Sequence, residues 1–92
     1  MASRILVLRR KVATGRYELT HHAKEEMEQD GFFLEDVKRA VYSGRIVRTQ
    51  RDRRGRKDTV SGVATDGRGI RIVCRVTRLG LLRIITIYER VE

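Results

Sequence analysis

The stretch Arg45–Asp58, RIVRTQRDRRGRKD, decides how the rest of the chain is read. It sets seven arginines and lysines against two aspartates, with the turn-forming Arg54-Gly55-Arg56 at its centre. A charge run of this density cannot bury itself, and segments with strand-like patterning flank it. The reading is a β-hairpin whose basic tip projects into water, where it is a candidate hand for phosphate.

Upstream of the hairpin the chain reads as helical. Ser3 can cap a helix running to about Ala13, stopped by Thr14-Gly15, with Ile5, Leu8 and Val12 on one face. Thr20 suits the N-cap of a second helix, His21 to Gln29, ended by Asp30-Gly31. Ala23 and Met27, four apart, give that helix a narrow inward stripe. Phe32 and Phe33 anchor a third helix, about Leu34 to Tyr42, with Glu35 and Asp36 at its positive end. Val37, Ala40 and Val41 form its apolar side, and Ser43-Gly44 stops it.

Downstream, strands are expected at 45–50, 58–65, 70–77 and 81–90, each joined to the next by a hairpin-length connection. The expected fold is α+β: two to three N-terminal helices (residues 3–44) packed on a four-stranded antiparallel β-meander (residues 45–91). With no proline and no flexible linker, residues 1–92 read as one domain. In the strand at 70–77, Ile70, Ile72, Cys74 and Val76 alternate with Arg71, Val73, Arg75 and Thr77, an apolar face opposite a basic one. In the last strand neither alternate set is purely polar. Which of its residues join Arg71 and Arg75 stays open at this point.

The bulk charge points to an anionic partner. The chain has 92 residues, 40% of them hydrophobic, and a formal net charge of +9. Seven of the twelve acids lie between Glu18 and Asp36, an interval with one basic residue, Lys24, so the remainder is strongly positive. Such a distribution suits RNA, DNA or an acidic protein surface; excess arginine serving solubility alone is the plainer alternative. The single cysteine, Cys74, cannot form an internal disulfide and reads as a small core residue. No segment approaches a membrane span, and Ile5-Leu6-Val7-Leu8 runs straight into Arg9-Arg10-Lys11, too short for a signal peptide. A cytoplasmic location is expected. The exposed edge of the first strand of the meander could recruit a second copy, although nothing in the sequence counts subunits.

The order of motifs along the chain resembles the domain-of-unknown-function family 4258. The matching positions are Tyr17, Thr20, His22, Ala23, Leu34-Glu35-Asp36-Val37, Gly44 and Ile85-Thr86-Ile87-Tyr88, and they cover nearly the whole chain. The sequence departs from the family's pattern at Glu26 and Asp30, where arginines are usual. The resemblance implies a layout like that of RelE-type ribonuclease toxins. It also implies a place as the toxin-like, RNA-directed half of a toxin–antitoxin-type module, with a small zinc-finger antitoxin-like protein as partner.

Metal-independent cleavage of RNA needs a base for the 2′-hydroxyl, an acid for the leaving oxygen, and cations for the charge between them. His22 is the natural acid or base, because imidazole titrates near neutrality. Its competing role is structural, a ring that hydrogen-bonds to the sheet and locks the helix in place. Tyr88 could donate a proton or stack a base, Thr86 could position a phosphate oxygen, and Arg75 could clamp the phosphate. Arg48, Arg51, Arg53, Arg54, Arg56, Lys57, Arg71 and Arg83 are the expected contacts to a phosphate backbone. His21 and His22 point about 100° apart on a helix and no further ligand stands at metal spacing, so neither metal nor cofactor is expected. Few aromatic residues argue against a stacking-based binder. The other class of function is a non-catalytic module that docks nucleic acid or an acidic protein.

Overall fold

The computed structural model describes residues 3–91; Met1, Ala2 and Glu92, counted in the expected single domain, lie outside the described residues. Three helices, α1 (Arg4–Ala13), α2 (His21–Asp30) and α3 (Leu34–Ser43), surround one short strand, β1 (Tyr17–Leu19). Four longer strands follow: β2 (Arg45–Asp52), β3 (Gly55–Val63), β4 (Gly69–Val76) and β5 (Leu82–Glu89). They form one sheet in the order β1-β5-β4-β3-β2. The α+β class and the antiparallel meander of the last four strands are therefore present. The expected four-stranded, purely antiparallel sheet is not: β1 adds a fifth strand, parallel to β5 with Glu18 opposite Arg83.

All three helices lie on one face of the sheet. Leu8 and Val12 of α1, Ala23 of α2, and Val37, Ala40 and Val41 of α3 share one core with Val60, Ile70, Ile72, Cys74, Leu82, Ile84 and Ile87. The close approach of α3 needs Gly62, because a Cβ there would lie 2.5 Å from the Ala40 carbonyl oxygen and 2.8 Å from its Cα. Cys74 is fully buried, and that burial pushes its thiol pKa up to about 12, so it behaves as a core side chain.

Caps explain most helix boundaries. The Thr20 hydroxyl accepts a hydrogen bond from Ala23 N at 3.1 Å, and Gly31 closes α2 in the left-handed region with φ of 70°. Asp36 accepts from Phe33 N at 2.7 Å and also from Thr65 N and Oγ1, tying the start of α3 to the β3–β4 turn. Ser3 stands at the N-cap of α1 as expected, yet its side chain makes no capping bond. The Asp66–Gly69 turn does more than reverse the chain. Arg68 donates to the carbonyls of Asp30 and Gly31 at the end of α2 and stacks its guanidinium 4.2 Å from the Phe32 ring centre.

The two edges of the sheet are finished differently. Beyond β1, the edge of β5 is covered by side chains from α2 and its cap: Thr20 Oγ1 donates to Ile85 O, and Glu26 Oε1 accepts from Ile87 N. The other edge, β2, is exposed along nearly its whole length and carries a bulge at Val47.

Candidate nucleic-acid interface

Register assigns the residues of the helix-free face. Val73 pairs with Thr86 on β5, while Cys74 pairs with Ile84, so Ile85 is an extra residue bulged out of the ladder. This bulge explains the mixed alternation of the last strand. Leu82 and Ile84 face the core before it, and Ile87 faces the core after it. The open face therefore carries Arg83 opposite Arg75, Thr86 opposite Val73, and Tyr88 opposite Arg71. Across β3 and β2 the rows continue: Val73, Thr59 and Arg48 form one, and Arg71, Ser61 and Arg45 another.

The face is thus a grid of guanidiniums and hydroxyls with a narrow apolar centre at Val73. Thr59 and Ser61 are buried although they point away from the helices. Arg90 Nη1 donates to Ser61 Oγ at 3.3 Å, so part of that cover is an arginine side chain. Arg71 Nε is buried and has no hydrogen-bond partner among the described residues, a donor in need of an acceptor.

At one end the face deepens into a cleft of about 510 Å³, lined by Arg53, Arg54, Gly55, Arg75, Val76, Thr77, Arg78 and Arg83. Its far wall is the β2–β3 hairpin tip, and Asp52 sets that wall. One Asp52 carboxylate oxygen accepts from Arg54 N at 2.8 Å. Both oxygens receive the Arg75 guanidinium end-on, at 2.9 and 2.6 Å. Hydrogen bonds from Arg75 and from the Arg54 backbone hold the Asp52 carboxyl well below the usual range. The expected β-hairpin is present and its tip residues Arg53 and Arg54 are exposed, but the strands reach further than expected, to Asp52 and from Gly55, and an ion pair ties the tip back to β4.

The sequence-derived residues divide into four places. Arg53, Arg54, Arg75 and Arg83 meet in the cleft. Arg48, Arg71 and Tyr88 lie further along the open face, with Lys57 on that side by alternation with the core-facing Asp58. Arg56 turns the other way, toward the helices, where its Nε donates to Asp58 at 2.9 Å, and Arg51 is its cross-strand partner. His22 lies on α2, outside the cleft, with its Nε2 3.2 Å from Glu26 Oε1. Arg75 and Tyr88 do not converge: Tyr88 stands opposite Arg71, four residues along β4, or roughly 13 Å.

Sequence reasoning missed Arg45, Arg78, Asp52 and Glu18 as parts of this surface. Glu18 Oε1 accepts from Arg83 Nε at 2.7 Å across the β1–β5 pair. Only a strand at Tyr17–Leu19 could have flagged it. Glu26, one of the two departures from the family pattern, joins α2 to the β5 edge alongside the Thr20 cap. At Asp30, the other, it is the backbone carbonyl that Arg68 engages.

Among the described residues, no group of three or more His, Cys, Asp or Glu side chains is placed to hold a metal ion. No helix among them is long and apolar enough to cross a membrane.

Fold and surface together define a small α+β protein with helices on one sheet face and an arginine-rich open face on the other. The chain belongs to the family described as domain of unknown function (DUF4258), whose model matches residues 19–89. The match takes in everything from the end of β1 to the end of β5 and leaves α1 outside. No curated protein and no solved structure matches the chain.

Proposed function

We propose that the open sheet face is a binding surface for the phosphate backbone of RNA, and that the protein acts as the RNA-directed, toxin-like member of a two-protein module. The observation that carries this reading is the register: Arg45, Arg48, Arg71, Arg75 and Arg83 all project from the face that no helix covers. Residues on one face recur about every 7 Å along each strand, a step of the same order as the spacing of phosphates in an extended nucleic-acid strand. Guanidiniums repeated along and across the strands suit the regularly repeated charge of a phosphate backbone. With Tyr88 the one aromatic side chain among these face residues, affinity comes from charge and not from stacking. The partner in such a module, a small antitoxin-like protein with a zinc finger, follows from the family resemblance alone.

The test is binding of a fluorescent single-stranded RNA at several salt concentrations. Log affinity should fall linearly with log salt, and Arg48→Ala with Arg71→Ala should reduce the slope by about 0.7 for each phosphate that is no longer neutralised. An affinity that ignores salt, or a slope the double variant leaves unchanged, refutes the reading.

One observation favours cleavage as a second reading. Glu26 Oε1 holds both the His22 ring and the backbone N–H of Ile87, so the imidazole is oriented by a carboxylate anchored between Thr86 and Tyr88. A carboxylate on one ring nitrogen leaves the other free to accept a proton. Under this reading RNA is cleaved in the presence of a chelator and His22→Ala abolishes cleavage while binding persists. Intact RNA at high protein concentration refutes it.

A further inference from the structure

We infer that the cleft between the hairpin tip and the β4–β5 turn is a site for a phosphate monoester dianion, the terminal phosphate of a nucleic-acid strand lying on the open face. The source of that phosphate rests on the RNA-binding reading; the preference for a dianion rests on the cleft itself.

Charge separates this cleft from the rest of the face. Five guanidiniums line it, from Arg53, Arg54, Arg75, Arg78 and Arg83. Two carboxylates are set against them: Asp52 occupies the end of Arg75, and Glu18 occupies Arg83 Nε. Two of the five are therefore paired, and Arg53, Arg54 and Arg78 make no side-chain hydrogen bond or ion pair among the described residues. A phosphodiester within a strand carries one negative charge. A terminal phosphate carries about 1.5 to 2 at neutral pH, with a second pKa near 6. A concave site with three unpaired guanidiniums discriminates in favour of the more highly charged group.

Geometry agrees with an end rather than a passage. Successive open-face residues of β4, Arg71, Val73 and Arg75, lead along the strand to this cleft, and there the Thr77–Leu81 turn closes the sheet. That turn is tightened by Thr77, whose carbonyl accepts from Gly80 N and whose hydroxyl accepts from Leu81 N. On the opposite side the Asp52–Arg75 pair fixes Arg53 and Arg54 above β4. A volume of about 510 Å³ accommodates a phosphate together with its terminal nucleoside.

The test compares one twelve-nucleotide RNA with a 5′-phosphate, with a 3′-phosphate, and with hydroxyls at both ends. Either phosphorylated end should raise affinity at least fivefold at pH 7.5, and the gain should shrink at pH 5.5, where the second proton returns. Arg54→Ala with Arg78→Ala, both exposed, should remove the gain, while Arg48→Ala with Arg71→Ala should weaken all three RNAs alike. Equal affinity for the three RNAs overturns the dianion site and leaves the RNA-binding reading intact. Absence of binding by all three overturns both. If a nucleoside monophosphate competes as strongly as the phosphorylated RNA, the dianion site stands and the strand as its source is overturned.

Discussion

On the helical face of the sheet, Asp58 is fully buried and gathers Arg4, Arg56 and Thr49; on the open face, Asp52 is about 43% exposed and holds the guanidinium of Arg75. Both are aspartates of the same hairpin. The difference lies in what surrounds them. Asp58 neutralises charge where water cannot, and every one of its hydrogen bonds closes the core around β2 and β3. Asp52 lies in water's reach and shapes a surface without removing its positive character. One face uses arginines in folding, and on the other Arg53, Arg54 and Arg78 have no side-chain ion pair among the described residues, so substitutions on the two faces should separate stability from the proposed binding.

The largest loss of stability should come from Asp58→Ala. It strands Arg4 and Arg56 beside a buried void, and breaking a buried ion pair of this kind costs about 3–5 kcal/mol. Burial alone raises the Asp58 pKa, but hydrogen bonds from Arg56, Thr49 and Arg4 outweigh it and hold the carboxyl below its ordinary value. A lowered folded-state pKa means that the stabilisation is complete above the unfolded value of about 3.9 and disappears as pH falls through the folded value. Denaturant midpoints at pH 7 and pH 3 should therefore converge in Asp58→Asn relative to the parent. Parallel shifts in the two proteins would remove Asp58 from the acid response.

Gly62→Ala should follow, costing about 1–3 kcal/mol as an overpacked helix–sheet contact. Its new methyl would meet the backbone of Ala40, which can give way only if α3 lifts from β3. A thermal melt reads this directly. An unchanged melting temperature would show that α3 is not seated against β3 as closely as described.

Much of the helical face was legible in the sequence, and much of the open face was not. Periodicity and caps located α2 and α3 within a residue because local rules govern them: Thr20 caps, Gly31 turns, and Val37, Ala40 and Val41 lie on one stripe. β1 was hidden because three residues carry no usable period and its partner β5 lies more than sixty residues away. The bulge at Ile85 was hidden for a related reason. A single extra residue swaps faces for all that follow, and it is recorded in pairing and not in composition. Without it Tyr88 could not be placed beside Arg71. Arg56 shows the opposite failure: within a run of seven basic residues nothing marked the one that Asp58 would draw inward.

The smallest expected change is the most useful for the site, and it turns on Glu26 against His22. The His22 side chain is 64% exposed and, among the described residues, meets the sheet through Glu26, whose own side chain is 21% exposed and accepts directly from Ile87 N. Were His22 the lock that holds α2 to the sheet, its removal would unfasten the helix. The geometry gives that task to Glu26. His22→Ala should therefore leave the melting temperature nearly unchanged, since an exposed pair contributes about 0–1 kcal/mol. Glu26→Ala should lower stability by about 1 kcal/mol by leaving a strand N–H without its acceptor. Equal melting curves for the two variants would return the structural role to the histidine. The expected order has α2 held by Glu26 and His22 dispensable for folding.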